Sequence, residues 1–175
     1  MIQIRIQRNG SVWSDEIPPF ISSFLFIAQI IIGIYLLPEI SQNKIFAYTG
    51  VGLYSVSGMI FGLLPIFGFR RKGGVQKGKS YIHTTKLVDT GIYSIVRHPQ
   101  YVTFMLWAIA GMLLFQHWIV ICLGLLIFPF TYLDLLHADK EGLEKFPDEY
   151  KRYMERVPRA NFLLGIIRLL RKKKQ

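Results

Sequence analysis

One cysteine in 175 residues, Cys122, excludes an intrachain disulfide framework. His83, His117 and His137 show no metal-ligand spacing with one another or with Cys122, which argues against a zinc site. A phosphate-binding loop is missing as well. Gly73, Gly74, Gly78 and Lys79 lack its spacing and a preceding strand, and read as a flexible linker. The N-terminal stretch, with Arg5, Arg8, Asp15 and Glu16, has no apolar segment of the cleavable-leader kind. Acidic residues are outnumbered, 11 against 21 Lys and Arg, which gives a formal net charge of +10. Scarcest of all is charge of either sign inside the long apolar stretches, and that scarcity sets the class of the protein.

Apolar residues make up 51% of the chain and fall in blocks rather than at the spacing of a soluble core. Residues 20–37 are interrupted only by Ser22, Ser23 and Gln29. Residues 45–69 hold 25 positions without a charge. A helix of that length, rising ~1.5 Å per residue, crosses a hydrocarbon layer of ~30 Å. Residues 101–133 hold no Asp, Glu, Lys or Arg, but as one helix they would run ~50 Å, too long for a single crossing. They are expected to fold back near Gln116 and His117 into spans at about 101–115 and 118–136, each helix continuing past its apolar limit. Asp134 then ends the last span and meets water. The expected fold is all-α: a polytopic membrane bundle of about four transmembrane helices, including a tight helical hairpin, in one domain over residues 1–175.

Lys and Arg in short loops collect on the cytoplasmic side of a membrane. Residues 70–100 carry Arg70, Arg71, Lys72, Lys77, Lys79, Lys86 and Arg97 against Asp89 alone, and the tail after Leu133 carries eleven basic residues to seven acidic. The 38–44 connection has one Glu and one Lys, and the hairpin tip has no Lys or Arg. Four crossings with both termini cytoplasmic satisfy this arrangement, in an inner or plasma membrane. The basic residues adjoin spans, so membrane lipids with anionic headgroups, rather than nucleic acid, are the expected counter-charge. No required protein partner is evident.

The polar residues thus gather in a middle loop and a tail on one face, where any chemistry must be assembled. Thr90-Gly91 reads as a turn feeding a short ordered segment, and Pro99 suits the first turn of a helix, so the third span starts at about His98–Tyr101. In the tail, Tyr150, Tyr153, Met154 and Val157 recur at helical intervals between charged residues, the pattern of an amphipathic helix. Residues 161–171 form an apolar run too short to span, followed by basic residues, and read as a helix lying on the membrane.

The densest run of functional side chains is Leu87-Val88-Asp89-Thr90-Gly91-Ile92-Tyr93-Ser94-Ile95-Val96-Arg97-His98-Pro99-Gln100-Tyr101. With a Gly-x-Tyr turn followed by Arg-His-Pro-x-Tyr, it closely resembles the signature of the isoprenylcysteine carboxyl methyltransferase and phospholipid methyltransferase superfamily. A second block of that superfamily follows the hairpin: an acidic position, then Leu143, Phe146, Tyr150, Tyr153 and Val157-Pro158-Arg159. The resemblance covers roughly residues 86–159. It departs at two places. The superfamily's adjacent glutamates give way to Ala138-Asp139-Lys140-Glu141, and its Phe-Gly to Phe146-Pro147.

The resemblance implies an S-adenosylmethionine-dependent methyltransferase acting on a lipophilic small-molecule acceptor at the membrane–cytoplasm boundary. It implies a cytoplasmic cofactor pocket built from segments 86–101 and 138–159, with a tunnel to lipid. By that resemblance Arg97 and Asp139 form the catalytic pair, with Glu141 the alternative acid. The cofactor-binding set is Leu87, Val88, Thr90, Gly91, Tyr93, His98, Pro99, Tyr101, Glu141, Tyr150 and Tyr153. The residue types suit the ligand: S-adenosylmethionine presents a carboxylate, an ammonium, a ribose and an adenine, and calls for a cation, an acid, hydrogen-bonding groups and flat apolar surface. Methyl transfer from a sulfonium is a direct displacement that needs alignment and exclusion of water rather than a metal. Two rival readings stay open, an NADPH-dependent membrane reductase of the steroid-reductase type and a non-catalytic scaffold or transport component. Carboxylate, thiol, amine and phospholipid acceptors all remain compatible.

Overall fold

The computed structural model describes residues 17–37, 43–74 and 85–172. Arg5, Arg8, Asp15 and Glu16, most of the first connection, Lys77, Gly78, Lys79, His83 and the last basic residues Lys173 and Lys174 lie outside the described residues. Among those described, every regular element is helical. Helix α1 spans Ile17–Leu36, α2 Lys44–Ser57 and α3 Leu64–Lys72. A π-helical stretch, Gly58–Leu63, joins α2 and α3 into one helix of 29 residues. A 3-10 turn at Gly91–Ser94 precedes α4 (Pro99–Phe115), α5 (Trp118–Lys145), α6 (Pro147–Arg156) and α7 (Phe162–Lys172). Lys44–Lys72 and Trp118–Lys145 are long and apolar enough to cross a membrane, and Phe20–Leu36 and Pro99–Phe115 are shorter apolar helices. The helices overrun the apolar blocks that seed them: α5, whose uncharged stretch ends at Leu133, continues to Lys145.

Each boundary has a local cause. Pro99 occupies the first turn of α4, where a missing N–H breaks no helical bond. Gln116, at φ 50°, ends α4 in the left-handed region, and His117 opens α5 by accepting from the Ile119 N–H at 3.2 Å through Nδ1. The chain therefore reverses over two residues. Gln116 also exchanges hydrogen bonds with the backbone of Asn43 at 2.9 and 3.0 Å, and Asn43 caps α2 by accepting from the Ile45 N–H. The start of α2 and this reversal thus share one end of the bundle. At the far end of the α2–α3 helix, Lys72 reaches Thr90 beside the 3-10 turn.

Inside the bundle, Gln29 of α1 donates from Nε2 to the carbonyls of Ala108 at 3.0 Å and Val120 at 3.3 Å, pinning α1 to both α4 and α5. Gly50 lets α2 lie against α4. A Cβ there would stand 2.8 Å from the Ala110 carbonyl oxygen and 2.9 Å from the Leu114 nitrogen, so any side chain would force the helices apart. Outward faces carry large apolar groups, with Phe24, Ile31, Ile45, Leu125 and Leu163 all exposed, a surface suited to lipid rather than water. One expectation is corrected here: Asp134 does not end a span in water. Helix α5 continues past it, and Asp134 is only 3% exposed, accepting a hydrogen bond from the Ser22 hydroxyl of α1 at 2.6 Å.

Candidate functional site: a cavity between the middle loop and the tail helices

Backbone bonds first fix the loop between α3 and α4. The Gly73 carbonyl accepts from the N–H groups of Thr85 at 2.9 Å and Lys86 at 3.2 Å, closing its neck. Gly91, at φ 67°, turns the chain into the 3-10 segment, a conformation that a Cβ would disfavour. Loop and tail are then stitched together, the Arg97 N–H donating to Pro158 at 3.0 Å and the His98 N–H to Arg159 at 3.2 Å. The Tyr153 hydroxyl donates to the Tyr93 carbonyl at 2.6 Å. The amphipathic pattern of the tail is satisfied this way: Tyr150, Tyr153 and Val157 are buried in one cluster, with Leu87, Leu143 and Phe146 packed on it.

At the centre stands Asp139, on the charged last turns of α5 beyond its apolar part. Its Oδ1 accepts from Arg97 Nη1 at 2.9 Å and the Tyr150 hydroxyl at 2.8 Å and lies 2.7 Å from His98 Nε2; its Oδ2 accepts from Arg159 Nε at 2.6 Å. Burial pushes this carboxyl up. The hydrogen bonds from His98 and Arg159, the charge of His98 and the Tyr150 hydroxyl outweigh burial and hold it well below the usual carboxylate range. The Tyr150 and Tyr153 hydroxyls are pushed above the ordinary tyrosine range, by burial first and then by the Asp139 charge for Tyr150 and by neighbouring Tyr150 for Tyr153. Both therefore remain protonated donors at neutral pH. Arg97 is 8% exposed, and a guanidinium so buried is tolerable only with a partner such as Asp139.

A cavity of about 350 Å³ opens beside this cluster. Leu87, Val88, Tyr93, Arg97, His98, Pro99, Tyr101, Glu141, Tyr150 and Tyr153 line it, which brings most of the sequence-derived set to one wall. Three residues of that set stand elsewhere. Thr90 lines a separate cavity with Arg156 and Arg168 and accepts from Lys72 Nζ at 2.9 Å. Gly91 shapes the turn without lining the cavity. Asp139 sits behind the wall with both carboxylate oxygens engaged by protein donors. The acid on the wall is Glu141, its side chain 62% exposed and 3.3 Å from His137 Nε2. Lys86, Gln100, Ala138, Gly142 and Phe146 also line the cavity, within the segments 86–101 and 138–159 but outside the sequence-derived set, while Phe69 as a lining residue and Arg159 as a ligand of Asp139 were not foreseen. Arg159 stood in the second motif, which was signal enough, whereas Phe69 merely ends an apolar block.

A second, apolar groove of about 650 Å³ runs between the π-helical stretch and α4, past Gly58, Gly62, Thr103 and Trp107. Gln100 lines both it and the polar cavity. The π-helical geometry, frequent at functional sites, forms one wall of this groove.

Residues 78–141 match the family described as the Isoprenylcysteine carboxyl methyltransferase (ICMT) family. Two curated relatives are both named protein-S-isoprenylcysteine O-methyltransferase. The Schizosaccharomyces pombe protein is 28% identical over 130 residues, which cover 69% of this chain and 52% of that protein. The Saccharomyces cerevisiae protein is 31% identical over 145 residues, covering 75% of this chain and 57% of that one. The chain thus spans little more than half the length of these relatives. No solved structure matches it.

Proposed function

We propose that this chain, which through residues 78–141 belongs to the isoprenylcysteine carboxyl methyltransferase family, transfers a methyl group from S-adenosylmethionine to a lipophilic acceptor at a membrane surface. The observation that carries this reading is the convergence of two motif segments on one polar cavity that shares Gln100 with an apolar groove. The cavity's residues fit the cofactor. Arg97 lines the cavity and its buried Nε has no hydrogen-bond partner among the described residues, a guanidinium that suits a carboxylate. Glu141 suits an ammonium, and Phe69 and Tyr101 supply flat apolar surface. When bound, S-adenosylmethionine supplies a methyl group made electrophilic by its sulfonium.

The chain's own residues orient and shelter that group. Arg97 orients negative charge at the boundary between cofactor and acceptor. Asp139 is the positioning residue, holding Arg97 and His98 at the mouth of α4, while Tyr150 and Tyr153 close the cavity against water. The apolar groove receives the acceptor's lipid chain, and its reacting group passes Gln100 into the cavity. An isoprenylated cysteine, the acceptor in the relatives' names, is of this class. In the membrane, α1, the α2–α3 helix, α4 and α5 make four crossings, the last two as a hairpin, with the cavity and both termini cytoplasmic and α7 lying on the surface. Incubating the purified chain with methyl-labelled S-adenosylmethionine and a lipid extract, then identifying labelled products by mass spectrometry, tests the reading. A labelled lipophilic product is expected; none from folded protein, with a prenylcysteine added as well, would refute it.

A further inference from the structure

Away from that site, α1, α4 and α5 enclose a smaller cavity of about 210 Å³. Asp134 and Thr131, one turn apart on α5, both line it and are 3% and 1% exposed. Asp134 Oδ2 accepts from Ser22, but Asp134 Oδ1 and Thr131 Oγ1 have no hydrogen-bond partner among the described residues. None of the described residues lining the cavity is Lys or Arg. Phe26 and Phe104, their ring centroids 6.0 Å apart and edge to face, wall its apolar side. An ionisable group inside a membrane bundle is costly and marks a site more often than it packs. Waters at ~30 Å³ each would fit such a volume. They would satisfy the hydrogen bonds, but an ionised Asp134 would still have no cationic side chain beside it on the cavity wall among the described residues.

We infer that this cavity is a binding site for an organic ammonium group: a small amphiphilic amine whose N–H groups donate to Asp134 and Thr131 and whose body lies against Phe26 and Phe104. A positive charge meets the need that water leaves, and aromatic faces favour cations at close range. Tyr101 lines both this cavity and the larger polar one, so an occupant here stands directly behind the wall of the candidate active site. The inference rests on this cavity alone and does not depend on the methyl-transfer reading.

The test uses the full chain in lipid nanodiscs at neutral pH, titrated calorimetrically with hexylammonium and, separately, with hexanol. Hexylammonium is expected to bind saturably and roughly tenfold or more tightly than hexanol, the advantage of a charge-assisted hydrogen bond. Asp134→Asn, which keeps an acceptor for Ser22, should erase that preference. Thr131→Val should weaken hexylammonium several-fold while leaving thermal unfolding nearly unchanged, and it carries the test if Asp134→Asn does not fold. Absence of saturable hexylammonium binding, equal binding of both probes, or undiminished binding in folded Thr131→Val and Asp134→Asn would overturn the proposal. Equal binding would identify a cavity that takes neutral and cationic amphiphiles alike.

Discussion

Helices α1 to α3 and the cluster around Asp139 expose opposite kinds of residue. On α1, Phe24, Ile31 and Ile34 face outward while Gln29 is buried. At the other region Arg97, Asp139, Tyr150 and Tyr153 are buried together, and every exposed position of α6 except Pro147 is charged. The inversion follows from what each surface meets. A lipid-facing helix gains nothing by hiding its apolar groups and must satisfy its polar ones internally. A water-facing helix gains by burying apolar area, and buries charge only where donors and acceptors converge. The exposed surface thus changes character along the chain, from apolar on α1 to charged on α6.

The sharpest way to break the polar region is Asp139→Ala, which leaves Arg97 buried beside Arg159 without their shared acceptor. It should cost about 3–5 kcal/mol, read by thermal unfolding in detergent, and should remove methyl transfer. Asp139→Asn keeps the shape and tests the charge. Because the Asp139 carboxyl is held below its usual range, its stabilising contribution is complete above the ordinary aspartate pKa of about 3.9 and is lost as pH falls below that value toward the folded-state pKa. The acid limb of a pH–stability curve should therefore flatten in Asp139→Asn.

The apolar region is broken differently. Ile31→Lys should cost about 2.5–3.5 kcal/mol in a bilayer if α1 faces lipid, whereas a water-facing position would tolerate it within about 0.5 kcal/mol. Comparison of insertion and unfolding in vesicles separates the two. Gly50→Leu should cost about 1–3 kcal/mol by wedging α2 from α4, measured as a lowered unfolding temperature. The smallest effect is Tyr150→Phe, about 0.5–1.5 kcal/mol for one lost hydrogen bond to Asp139, with a larger fractional loss of cofactor affinity than of stability.

How much of this was legible in sequence differs between the same two regions. Apolar runs carry their information locally, so the helices α1 to α5 follow from uncharged blocks, and the reversal at Gln116 from the length a single crossing allows. The site's chemistry is non-local. Arg97 and Asp139 lie 42 positions apart, and only the family resemblance brought them together. That resemblance named the residues but not their depth. It gave Asp139 a catalytic role without showing its surroundings, a buried carboxylate held by Arg97, His98, Tyr150 and Arg159, with Glu141 lining the cavity. Asp134 was misread because hydropathy marks where charge begins, not which helix a charged side chain faces. The groove beside the π-helical stretch left no trace in periodicity.

Titrating the purified full chain with S-adenosylhomocysteine tests the account most directly, since the polar cavity must bind a cofactor before it can methylate anything. Saturable one-to-one binding is expected, weakened roughly tenfold or more by Arg97→Ala, which removes a charge-assisted contact, and little changed by Ile31→Ala. Absence of binding by protein shown to be folded would contradict it.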